Sequence, residues 1–384
     1  MESDLGLQKR ISNSELPVDS IRSKLGYATA SSLGRLAIGV SFILLGTLAM
    51  AATDGYHLLK KFTFGAAEGS SREYFDYITV DSSARRVYLS HGTEVKVIDA
   101  DNGALIGNIT GLTQDHGIAV ASEFGRGFIS DGPQSKVIIF DLETLKVIGE
   151  TKTGNGPDCV IYDPASKHVF SMNGGSHSST VIDPKDGNVV GTIDLGGAPE
   201  FGVADGKGTV YVNLEDKSEV VAIDSRTLTV NSRWPVAPSG GPTALAMDRE
   251  HRRLFSSGRN PQMLVVMDAK NGKVIQSFPI SEGVDASVYE PETDLLFVST
   301  REGMIHIFHE DSPDKFSVVD TVKTEYGAKA MGLDTKTHNL FLDTADYGPP
   351  PPPTAERPHP LRTAIPGTFR VLVYARNGSD PARN

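Results

Sequence analysis

Seven copies of one phrase, spaced 40–44 residues apart, predict an all-β protein: a seven-bladed β-propeller of four-stranded antiparallel blades. Two further observations support this fold class. Short apolar runs alternate with turns, as 39 glycines and 22 prolines suggest, and show no helical period between them. One strand is left over at each end, so the ring is predicted to close when the N-terminal strand joins the last blade.

The phrase is seen in YFDYITVDSSARRVYLSHG from Tyr74, GNGPDCVIYDPASKHVFSMNGG from Gly154, GGPTALAMDREHRRLFSSG from Gly240 and GVDASVYEPETDLLFVSTREG from Gly283. Its second apolar run carries an aromatic at Tyr88, Phe128, Phe170, Tyr211, Phe255, Phe297 and Phe341. Each unit reads as a strand ending near Asp, a turn, the aromatic strand, a polar loop, a third strand and a tight turn into a fourth. The third strands end at Asp99, Asp141, Asp183, Asp224 and Asp268. Blade boundaries fall near 74, 113, 155, 197, 240, 283 and 326. After the seventh aromatic only TFRVLVYAR, 368–376, remains. YHLLKKFTFG, 56–65, resembles the fourth strands ALIGNITG and KVIQSFPIS and is assigned to complete blade seven.

Residues 1–52 are set apart as a polar leader followed by the apolar run LAIGVSFILLGTLAMAA, 36–52, with Lys9, Arg10, Arg22, Lys24 and Arg35 before it. The run is short for a span and ends in small residues, as a secretory signal cleaved near Ala51 does. The long leader leaves an uncleaved anchor as the alternative, and an anchor would be the chain's one membrane contact. Both readings export residues 53–384, the single propeller domain, to the periplasm, the cell surface or the medium. That domain carries 32 basic and 44 acidic residues, a net charge of −12, which disfavours nucleic-acid binding. A single cysteine excludes an internal disulfide, so stability rests on packing.

The runs RRVYLSHG, GTVYVNLED and DLLFVSTREG resemble the YVTN-type β-propeller repeat. The likeness covers about residues 56–376 and is specific for the fold rather than for an activity. It implies exported or surface-layer-like relatives, and the repeat is also found in DNA-binding and enzymatic ones.

In a propeller the first strand of each blade lines the central channel. Counting back from each aromatic by a fixed interval, with one residue fewer in the fourth unit, places Asp76, His116, Asp158, Glu200, Thr243, Asp285 and Lys329 at one channel mouth. Such a ring either bonds to neighbouring backbone and channel water or holds a ligand. The ligand would be a divalent cation, the one cofactor the ring suggests, or a cationic or polyhydroxylated molecule. Converging carboxylates also raise one another's pKa, so the ring offers general acids. Loops on the same face add His91, Asp131, Asn173, His177, Glu215, Arg259, Asn260, Arg301 and Asp343. Taken singly, each reads as a solvated loop residue, while His177 in NGGSHSSTV and the Arg259 fork in SGRNPQ stand out as contacts. The Pro-rich insertion DYGPPPPPTAERPHPLRTAIPG, 346–367, falls between strands two and three of blade seven and reads as a lid over the mouth or a handle for a partner.

Other signals read as scaffold. DADNG, DPKDG and DAKNG are hairpin turns with a positive-φ glycine, because the spacing of a calcium loop is missing. Cys159 lies within a first strand and reads as a buried thiol. His306 and His309 fall on opposite faces of one strand. No GxSxG, P-loop, HExxH or CxxCH occurs.

The leading expectation is a non-catalytic exported scaffold that binds a protein or small polar ligand through the channel-mouth face. A second is a lactonase- or lyase-like enzyme with Asp158, His116 and Asp285 as catalytic candidates and His116 as the base. A third is a structural component of the cell envelope.

Overall fold

The structure, a computed structural model, describes residues 55–354 and 360–377. The leader and apolar run, with the signal or anchor assigned to them, lie outside the described residues, as do 355–359 within the Pro-rich insertion.

The described chain forms seven four-stranded antiparallel sheets in which consecutive strands pair, and these are the seven blades. Blade seven alone departs from sequence order: Tyr56–Thr63 pairs antiparallel with Arg370–Arg376 and becomes its outer strand. This is the ring closure expected from the unpaired strands at the two ends.

Inner and outer strands differ as their environments require. The second strand of blade six, Leu295–Thr300, is buried at every position because a blade lies against each of its faces. The outer strand of blade two, Val147–Lys152, leaves most positions in water. The seven repeat aromatics are at most 1% exposed. Seven apolar clusters each join one blade to the next, so the core is a ring of interfaces around the axis.

The DxxxG segments are the expected turns. The Asp99 carboxylate accepts the backbone N–H of Asp101 at 2.9 Å and of Asn102 at 3.0 Å, and Gly103 takes φ 73°. Only a glycine occupies that left-handed region without strain. Cys159 is buried and unpaired, as expected, and burial pushes its thiol up to about 12.

Tyr56, 6% exposed, stacks edge-on against Phe297 at 5.0 Å, so the closing strand grips blade six as well as blade seven. Its hydroxyl has no hydrogen-bond partner among the described residues. Tyr56→Ala should cost about 3 kcal/mol in chemical denaturation, the usual loss for a truncated core aromatic. Tyr56→Phe should be close to neutral, since no bond is lost. An alanine variant as stable as wild type would show that this contact contributes nothing to closure.

Candidate functional site at the channel mouth

Each blade starts its innermost strand beside the axis, so one position per blade faces the same space. Asp76, His116, Asp158, Glu200, Thr243, Asp285 and Lys329 all line one cavity of about 560 Å³. Arg259 and Arg301, at the ends of second strands, line it too. Deeper in, the walls turn apolar, with Tyr77 stacked on Phe201 at 4.9 Å.

The ring residues form a chain of charge contacts around more than half the axis. Arg259 bonds to Asp285, and Asp285 to Lys329. Lys329 Nζ reaches Asp76 Oδ1 at 3.1 Å, and Asp76 Oδ2 lies 2.8 Å from His116 Nδ1. His116 Nδ1 is also 3.3 Å from Asp158 Oδ1 and 2.8 Å from the Tyr74 hydroxyl. The Tyr77 hydroxyl donates to Asp158 Oδ2 at 3.4 Å. Glu200 and Thr243 stand outside this chain, and the Thr243 hydroxyl donates to the Gly241 carbonyl at 3.4 Å.

The carboxyls in this slot differ in protonation because their neighbours differ. Burial opposes ionisation of Asp76, but Lys329 and His116 outweigh it and hold the group well below the usual range. Burial and the Asp76 charge push Asp158 up to about 7, with His116 pulling the other way. Burial, then Asp158 and Glu215, push Glu200 up to about 9. Burial disfavours the His116 imidazolium, yet Asp76 and Asp158 raise its pKa on balance. Lys329 is likewise raised, by Asp285 and Asp76 acting against burial. At neutral pH the mouth therefore has a charged arc at Lys329 and Asp76, a protonated carboxyl at Glu200, and Asp158 poised between the two states.

Several residues expected in open loops are elsewhere. His91, Asp131, Asn173 and Asp343 are fully buried, because the second strands carry them beneath the rim. Asp131 accepts the N–H groups of Thr113 at 3.0 Å and Gln114 at 3.3 Å, while Asn173 donates to Thr180 Oγ1 at 2.9 Å. His91 meets Glu73 at 2.5 Å, and Glu73 in turn accepts the Gly367 N–H at 2.6 Å. Burial drives Asp343 well above the carboxylate range. His177 is exposed, with a left-handed φ of 53°, and neither it nor Asn260 is among the residues lining the cavity. Tyr74 and Tyr77, which orient His116 and Asp158, were not among the expected site residues, since the repeat count takes one residue per blade.

The described part of the Pro-rich insertion packs beside the mouth. Tyr347 bridges to Ala364, and the Arg362 guanidinium sits 4.8 Å over the Tyr326 ring. Pro350–Pro353 and Pro360–Arg362 line a second cavity of about 490 Å³, and Arg301 forms a wall of both cavities.

Aspartate, histidine and aspartate at 76, 116 and 158 bring one ligand atom each within 4.8 Å of one another, so these residues are the ones in the ring able to hold a cation. Lys329 and Tyr74 already occupy Asp76 and would have to give way.

No family model matches the chain, and its likeness to the YVTN repeat rests on the motifs themselves. Antigen Lp49 of Leptospira interrogans is 23% identical over 246 residues, covering 57% of this chain and 52% of its own. The chain thus spans about half the length of that curated relative. Among solved structures, a chain of Kuenenia stuttgartiensis hydrazine synthase superposes with a TM-score of 0.63 at 16% identity, covering 72% of this chain and 96% of that one. A chain of the mitotic checkpoint complex gives 0.65 at 10% identity, covering 92% and 98%. These likenesses establish the propeller fold, which fits a binding scaffold.

The raised carboxyls predict a pH effect with a definite sign. Glu200 keeps its proton in the folded state up to about 9, whereas an unfolded glutamate loses it near 4. The folded state binds more protons across that window, so stability falls as pH rises through it. Glu200→Gln removes the titration, and its Tm relative to wild type should climb from pH 5 to pH 9. A constant difference across that range would contradict protonation of folded Glu200.

Proposed function

We propose that this protein is an exported β-propeller that binds a small polyhydroxylated ligand at its channel mouth without transforming it. The carrying observation is the 560 Å³ cavity in which the same slot of all seven blades converges on one axis. That volume is in the range of small-molecule sites, which combine apolar walls with a few placed polar groups. A protonated carboxyl both donates and accepts, so Asp158 and Glu200 suit hydroxyl groups that do the same. The Tyr77–Phe201 pair offers a flat apolar wall for the ligand's C–H face. Lys329, Asp76 and Arg259 are held in ion pairs, a role in shaping the mouth rather than in chemistry. Export is supported by the apolar run 36–52 and by a relative whose name is that of an antigen.

One observation favours a second reading, an enzyme of lactonase or lyase type. Asp158, pushed up to about 7 and 3.3 Å from His116, is matched to proton transfer at neutral pH. The two readings separate in one experiment. Monosaccharides, sugar acids and their lactones are titrated calorimetrically into wild type, Asp158→Asn and Glu200→Ala, with product analysis by NMR. The binding reading expects one of these compounds to bind wild type unchanged. The variants should lose about 10–100-fold in affinity, the value of one or two buried hydrogen bonds. Equal affinity in wild type and variants, or no binding by any compound, would remove the channel mouth as the site. Conversion of a bound lactone would replace the binding reading by the enzymatic one.

A further inference from the structure

A second group of ligating side chains lies at the far end of the blades from the ring. Asp248 ends the first strand of blade five, Pro242–Asp248, whose start carries Thr243 at the channel mouth. His251 belongs to the turn that follows, and Glu310 comes from the third strand of blade six, Met304–Ser312. The turn itself fixes the aspartate, whose oxygens accept the N–H groups of Glu250 at 2.9 Å and His251 at 2.8 Å. One imidazole nitrogen then faces two carboxylates: His251 Nδ1 is 3.0 Å from Asp248 Oδ2 and 3.0 Å from Glu310 Oε1. Ligand atoms from all three residues lie within 4.8 Å of one another.

Burial makes this arrangement costly as it stands. Asp248 is 2% exposed and Glu310 4%, and neither oxygen of Glu310 accepts a hydrogen bond from the described residues. Tyr289 stands beside Glu310, but its hydroxyl donates to Asp294 at 3.2 Å. The nearby arginines are committed elsewhere, Arg249 to the Ala204 carbonyl at 2.9 Å and Arg253 to Asp314 at 2.8 Å. A neutral imidazole has one proton to give, and Nδ1 can serve only one carboxylate with it. The other buried charge needs a proton or a cation. A cation suits the donors: one nitrogen and two carboxylates, with the part-exposed imidazole leaving an approach from water. The set is far short of the six to eight oxygens that calcium takes, and an imidazole favours a first-row transition ion.

We propose that Asp248, His251 and Glu310 form a binding site for one divalent ion of the zinc type, which joins blade five to blade six at the face opposite the channel mouth. Two carboxylates balance the ion's charge while the imidazole coordinates neutral through Nδ1. Binding releases whatever proton the cluster held and stabilises the folded chain by mass action.

The test titrates zinc into metal-depleted full-length protein at pH 7 by calorimetry, with thermal melts on the same samples. Wild type and Asp158→Asn should each bind one equivalent at this site, with a zinc-dependent rise in Tm. His251→Gln and Glu310→Gln should lose at least about 100-fold in affinity, since even outer-shell losses cost about 10–100-fold, and their melting should not respond to zinc. His251 lies in a half-exposed turn, so its variant should fold even if that of Glu310 does not. Failure of wild type to bind zinc, or retention of binding by His251→Gln, would overturn the proposal. Loss of binding in Asp158→Asn alone would assign the ion to the channel mouth instead. The ligand titrations at the mouth are read on different residues, so either idea can fail without the other.

Discussion

The contact that everything else depends on is the packing of each blade against the next. A four-stranded sheet of this size has two faces to bury, and here each face is covered by a neighbour, with one apolar cluster at every junction. This is why the second strand of blade six is buried at every position while the outer strand of blade two lies mostly in water. It also explains why the repeat aromatic sits in the second strand, where each one fills a single junction between neighbouring blades. A ring assembled in this way has no independent part, because removing one blade exposes two apolar faces and opens the circle.

The same geometry creates the electrostatics of the mouth. Seven innermost strands deliver seven side chains to one axis whether or not their charges agree, and four of those seven are carboxyls. The molecule resolves the conflict by position. Where Lys329 and His116 stand next to a carboxyl, as at Asp76, it is held ionised. Where the neighbours are other acids, as at Glu200, it keeps its proton. Identical slots thus become a fixed charge on one side and a hydrogen-bond donor on the other, through environment alone.

How much of this was legible in the sequence follows from what repeats. The blade count, the closing strand and the ring residues all derive from a period of about 40 residues, and a period survives divergence of individual positions. Asp76 through Lys329 could be found because each occupies the same slot. His91, Asp131, Asn173 and Asp343 were misread as open loop residues because the sequence does not show where a strand stops and its loop begins. A polar residue one step inside the strand is buried. Tyr74 and Tyr77 act through contacts unique to one blade, and no repeat points to them. The Asp248–His251–Glu310 cluster was hidden for a similar reason. Its members come from the end of one strand, the turn after it and the third strand of the next blade, and so occupy no common slot of the repeat.

The pairing of Tyr56–Thr63 with Arg370–Arg376 also orders events in time. Synthesis runs from the N-terminus, so the strand that closes the circle is made before any blade and its partner after nearly all of them. Through that interval an edge strand carrying Tyr56, Leu59 and Phe62 has no sheet to join, and blade seven has no outer wall. Long-range pairing of this kind is reached slowly, since nearly the whole chain must be ordered before the contact forms. The closing strand therefore acts as a checkpoint: a chain broken off before Arg370 leaves it without its partner, open to proteolysis or to capture by a chaperone.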